Sequence, residues 1–100
     1  MVELQFFNDK IKVYRTVSDV FNSNGYILEY KNDFIIVDPG EKKNKDISNW
    51  FIKNNLEPKY CLITHEHFDH NIGYGKIIEQ FPLIKTICLK FPYFEMRLAF

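Results

Sequence analysis

One hundred residues, 46% hydrophobic, 17% aromatic and 26% charged, suit one small folded domain with a modest core; a disordered chain would carry fewer apolar residues and more net charge. Thirteen basic and thirteen acidic side chains cancel, which argues against nucleic-acid binding through a global positive field. The longest plainly apolar run, Phe34 to Val37, is far too short to cross a bilayer, and residues 1–10 lack the pattern of a signal peptide, so a cytoplasmic protein with no membrane association is expected.

The first 40 residues read as strands and turns. Segments 2–7 and 10–14 are β-rich and meet at Asn8-Asp9, which predicts a hairpin. Segments 25–30 and 33–37 form a second expected hairpin about Lys31-Asn32. Phe34 to Val37 is apolar without interruption, as in a strand buried on both faces. Asp38-Pro39-Gly40 ends it with a strong turn signal.

A helix is predicted over 46–55, with Asp46 as its N-cap and Ile47, Trp50 and Phe51 on one face. Asn54, Asn55 and Pro58 stop it. Residues 59–64 form a short strand that runs into the polar stretch THEHFDH, Thr64 to His70. A second helix is expected over 71–81, with Tyr74, Ile77, Ile78 and Phe81 spaced i, i+3, i+4, i+7 and Pro82 beyond. One more strand follows at 85–89. Cys61 and Cys88 lie far apart in apolar surroundings and read as free, buried thiols.

From residue 34 the order is strand, helix, strand, helix, strand, which predicts parallel strands with right-handed crossovers. Asp38 then stands just past the carboxyl end of one strand and His65 just past that of the next. Ligands of open α/β sheets bind outside those ends, so Asp38 and the histidine loop are expected to converge.

All three histidines of the chain, His65, His67 and His70, fall within six positions, with Asp69 among them. In an extended segment alternate side chains point the same way, so His65, His67 and Asp69 can face one point while His70 turns with the following helix. Neutral imidazoles and a carboxylate suit Zn²⁺ or a similar divalent ion. A second ion could use Asp69 and His70, as in two-metal hydrolytic sites. Glu66 alternates away from this set and reads as solvated.

The stretch THEHFDH resembles the His-x-His-x-Asp-His signature of the metallo-β-lactamase-fold hydrolases, and IIVDPG resembles their preceding strand ending in aspartate. The resemblance runs from about residue 20 to about residue 90. It implies an α/β fold: the N-terminal half of a four-layer αβ/βα sandwich, with β-hairpins followed by β-α-β-α-β. It also implies His65 and His67 on a first metal and Asp69 and His70 on a second, with Asp69 taking part in catalysis. Asp38 and Thr64 would stand behind the ligands and steer them. Zinc is the expected metal, one or two ions, with iron or manganese as alternatives. Substrates in the family are thioesters, lactones, β-lactams, phosphodiesters and RNA, so a small ester-type molecule is the leading expectation and nucleic acid stays among the candidates.

The family draws further ligands from the second half of its chain, whereas no histidine follows His70 here. Residues 1–100 therefore read as a single truncated domain. Residues 91–100 carry Phe91, Phe94, Met96, Leu98 and Phe100, an apolar tail expected to be an interface, either in a homodimer or with a complementing C-terminal half. A metal-stabilised interaction module without catalysis is the alternative function.

Overall fold

Strand-forming runs on both sides of the two expected turns pair as the sequence suggests. The computed structural model describes residues 2–17, 24–40, 45–64 and 73–88. Six strands, β1 (Glu3–Phe7), β2 (Ile11–Val17), β3 (Asn24–Tyr30), β4 (Asp33–Val37), β5 (Tyr60–Ile63) and β6 (Lys85–Cys88), form one sheet in sequential order. The β1–β2, β2–β3 and β3–β4 pairs are antiparallel, while β4–β5 and β5–β6 are parallel. Helix α1 (Asp46–Lys53) joins β4 to β5, and α2 (Tyr74–Gln80) lies between β5 and β6.

Each turn has a local cause. The Asn8 side chain accepts hydrogen bonds from the backbone N–H groups of Lys10 and Ile11 at 2.8 and 2.9 Å, an Asx turn that closes the first hairpin. Lys31 and Asn32 both have positive φ, 50° and 66°, the conformation a two-residue hairpin turn needs to match strand twist. Asn55, at φ 55°, takes the left-handed position that ends α1. The capping position of α1 is Lys45 rather than Asp46; Lys45 makes no side-chain cap bond, and Asp46 is the first helical residue, where its charge favours the positive end of the helix dipole.

Burial alternates along the central strands. Ile27, Phe34, Ile36, Cys61 and Ile63 are buried on one face beneath Ile47 and Phe51 of α1 and Tyr74 and Ile77 of α2. Register places Tyr14, Ile27, Ile36, Cys61 and Thr86 in one row across five strands. Aromatic rings seat α1: Trp50 lies 4.8 Å from Tyr14 and 5.9 Å from Phe34, and Phe51 meets Phe81 at 5.7 Å, each in a tilted or edge-on arrangement. The Tyr74 hydroxyl is hydrogen-bonded to Thr86 Oγ1, tying α2 to β6. Both cysteines are free thiols. Among the described residues no helix is long and apolar enough to cross a membrane.

Phe34 and Ile36 of β4 are buried beneath the helices, and on the other face Val37 is buried and Ile35 half-buried. The strand is apolar on both faces, covered fully on one and in part on the other.

Candidate functional site

At the end of β4 the chain reverses through Asp38, whose φ of 51° is left-handed, a conformation aspartate tolerates better than most side chains. Its backbone N–H donates to the Leu62 carbonyl at 3.0 Å, extending the parallel ladder one step past β4. Its carboxylate, 6% exposed, then reaches the end of β5. There it accepts from the Thr64 backbone N–H at 2.8 Å and from Thr64 Oγ1 at 2.5 Å. Two donors on one carboxylate make charge-assisted hydrogen bonds, stronger than neutral ones.

The next residue continues the pattern. The Pro39 carbonyl accepts from the Gly73 N–H at 2.8 Å, just ahead of α2. Asp38 and Pro39 therefore hold Thr64 and Gly73, the residues that bracket segment 65–72. Both brackets are distant from the turn in sequence, and two adjacent acceptors, a carboxylate and a carbonyl, bind them to it.

Two further residues shape the turn. Gly25 lies on β3 beside Asp38, and a Cβ there would meet the Asp38 carbonyl oxygen at 3.0 Å and Thr16 Cγ2 at 3.3 Å. Only a residue without a side chain lets these backbones approach so closely. An isolated glycine in a strand is the sequence signal that could have revealed this. Cys61, fully buried beneath the turn, has its thiol pushed up to about 12, chiefly by burial and secondarily by the negative charge of Asp38, with Cys88 adding less. Cys61 is thus a neutral thiol at ordinary pH that packs in the core. Burial raises Cys88 as well.

The expected ligands His65, His67, Asp69 and His70 lie outside the described residues, as do Glu66 and the apolar tail 91–100. Among the described residues no group of three or more histidine, cysteine, aspartate or glutamate side chains could hold a metal ion. Within the described part, Asp38 and Thr64 are joined by two hydrogen bonds.

The sequence matches the model of the metallo-beta-lactamase superfamily over residues 18–97. The chain belongs to this superfamily. Among its relatives, hydroxyacylglutathione hydrolase 1 of Vibrio vulnificus is 40% identical over 57 residues, 57% of this chain and 22% of that protein. The hydroxyacylglutathione hydrolase of Blochmanniella pennsylvanica is 42% identical over 62 residues, 61% of this chain and 23% of that one. Of solved structures, the DIM-1 metallo-beta-lactamase matches with a TM-score of 0.61 at 24% identity, over 87% of this chain and 42% of that chain. A metallo-beta-lactamase from Pontibacter korlensis matches with a TM-score of 0.59 at 17% identity, over 88% and 43%. These structural likenesses establish the superfamily fold for the mixed sheet and its two helices. The chain spans about a fifth of the length of the curated relatives it matches and under half of the solved ones.

Proposed function

We propose that this chain contributes the N-terminal metal-binding portion of a hydrolase acting on ester-type bonds, thioesters foremost. The observation that carries the reading is the anchoring of Thr64 and Gly73 on the Asp38-Pro39 turn, which fixes both flanks of the one segment rich in imidazole and carboxylate. His65, His67, Asp69 and His70 would hold the metal, since neutral imidazole and carboxylate are the donor set that zinc, and less selectively iron or manganese, takes. When bound, such an ion supplies Lewis acidity and makes water acidic enough to react near neutral pH. Asp69, the carboxylate of the set, is assigned to the reaction as well as to the metal. Asp38 and Thr64 keep the loop in place without touching the reacting atoms.

Thioesters come first because the relatives at 40% identity are named for hydroxyacylglutathione, an acyl thioester. Lactones and phosphodiesters follow as the wider superfamily range. The test is metal analysis of protein purified without chelator, followed by an absorbance assay with an S-acylglutathione. Bound zinc, iron or manganese that disappears in both His65→Ala and His67→Ala supports the reading; a wild-type protein free of all three sinks it.

A second reading keeps the superfamily fold and drops the enzyme. In it the metal stabilises an interaction module and no turnover occurs. Metal retained with no hydrolysis of thioester, lactone or phosphodiester selects that reading, and metal-dependent hydrolysis removes it.

A further inference from the structure

Helix α2 starts straight after Gly73, the far bracket of segment 65–72, so whatever fixes its first turn also fixes where that segment ends. Its seven residues make about two turns, and a helix this short owes its place to tertiary contacts rather than to propensity. The capping residue, Gly73, makes no side-chain cap bond. Tyr74 and Ile77 are the buried side chains of α2. Ile77 makes apolar contact, which is non-directional and tolerates small rotations of a helix on its sheet. Tyr74 differs. It is 4% exposed, and its hydroxyl is hydrogen-bonded to Thr86 Oγ1 on β6, a contact that depends on angle as well as distance.

The neighbouring residue supplies a second tether. The Gly73 N–H donates to the Pro39 carbonyl at 2.8 Å, past the end of β4. β5 lies between β4 and β6 in the sheet and leads into Thr64, where the segment begins. The first turn of α2 is thus held from both sides of β5, through a side chain on β6 and through backbone on the β4 turn. One bond leaves a helix free to pivot about it; two on opposite sides do not. We propose, on the metal-binding reading above, that Tyr74 is a positioning residue for the metal site: its hydroxyl bond to Thr86, acting with the Gly73 bond to Pro39, sets where segment 65–72 ends relative to its start at Thr64. In this role Tyr74 acts through Gly73 and not on the reacting atoms. Two hydroxyls that merely satisfied each other beneath the helix would affect stability alone.

The test compares Tyr74→Phe and Thr86→Val, each of which removes one hydroxyl and keeps the shape, with Thr86→Ser, which keeps the hydroxyl. Ile77→Val is the control for lost stability on the same helix. Zinc affinity is measured by competition with a chromophoric chelator, and Co²⁺ serves as a probe whose visible absorption reports ligand geometry. Tyr74→Phe and Thr86→Val are each expected to weaken zinc binding about tenfold, as changes behind a ligand shell do, and to shift the Co²⁺ spectrum. The double variant should lose no more than either single one, because the two hydroxyls make one bond. Thr86→Ser and Ile77→Val are expected to keep the wild-type affinity and spectrum. In the metal-free protein the Gly73 amide should exchange its hydrogen faster in Tyr74→Phe than in Ile77→Val. Should Tyr74→Phe fail to fold, Thr86→Val, at a half-buried position, carries the test. Wild-type affinity and spectrum in either folded hydroxyl variant overturn the proposal and leave the metal site standing, as does equal Gly73 exchange in Tyr74→Phe and Ile77→Val. A wild type that binds neither ion overturns the metal-binding reading itself, and the proposal with it.

Discussion

The Asp38 carboxylate accepts both hydrogen bonds that Thr64 offers, from its backbone N–H at 2.8 Å and from its Oγ1 at 2.5 Å. These residues are 26 positions apart, each just past the carboxyl end of one of two adjacent parallel strands. Because Asp38 is only 6% exposed, water replaces it poorly when it is removed. Asp38→Ala leaves the Thr64 N–H without its acceptor and is expected to lower stability by about 1–3 kcal/mol in urea denaturation. Asp38→Asn, which retains one carbonyl acceptor, is expected to lose less. Metal retention should follow the same order, alanine below asparagine below wild type. Equal stability for alanine and wild type would show that the contact contributes nothing.

Phe51 sits at the centre of the aromatic cluster, 0% exposed, within ring-contact distance of Phe34, Trp50 and Phe81. Phe51→Ala removes that packing from three elements at once and is expected to cost about 3–5 kcal/mol. For a domain this small that is a large share of total stability. Loss of the cooperative thermal transition is the expected readout. Ile52→Ala, one residue along but 57% exposed, is the control and should shift the midpoint little.

Much of this arrangement is legible from residue order, and the part that is not has a physical reason. Parallel strands joined by helices bring successive carboxyl ends together, so the meeting of Asp38 with the start of the histidine segment follows from a strand–helix–strand reading. The hairpins at Asn8 and at Lys31-Asn32 follow from turn chemistry. The bond from Gly73 N–H to the Pro39 carbonyl does not, because a backbone pair carries no residue-type signal. The same holds for Lys45 as the capping residue of α1: Asp46 is the better capping side chain, yet the chain enters the helix one residue earlier. The run Phe34 to Val37 signals burial on both faces, and three of its four residues are buried, Val37 on the face away from the helices, with Ile35 beside it half-buried.

Cys61 gives a pH dependence with a definite sign. Its thiol is pushed from an ordinary 9.0 to about 12, so the folded state keeps a proton that the unfolded chain releases. The stabilisation from this group is fully present below pH 9 and is lost as pH rises from there through about 12. The limiting slope for one such group is about 1.4 kcal/mol per pH unit. Tyr74 and Cys88 are also raised, mainly by burial, and act in the same direction. Cys61→Ala is therefore expected to lower stability near neutrality by about 1 kcal/mol through lost packing, while flattening the alkaline fall without abolishing it. Urea midpoints measured across the alkaline range for both proteins check this. Parallel curves would mean that Cys61 does not titrate as its burial requires.

Gly25 packs against the Asp38 turn from β3. An added Cβ would stand 3.0 Å from the Asp38 carbonyl oxygen and 3.3 Å from Thr16 Cγ2. The nearer atom is backbone, held by the Asp38 N–H bond to Leu62 and by the carboxylate's grip on Thr64, so it cannot swing aside as a flexible side chain would. Gly25→Ala is expected to push the turn away from β3 and to cost about 1–3 kcal/mol, the range for overpacking a filled site. The shift should carry Thr64 with it and reduce metal retention more than a comparably destabilising change elsewhere. Ile36→Val, a core change on the same sheet expected to cost about 0.5–1.5 kcal/mol, supplies that comparison. If both variants lose metal in proportion to their lost stability, the close approach at Gly25 serves the fold alone. A greater loss in Gly25→Ala at matched stability shows that this approach positions the site.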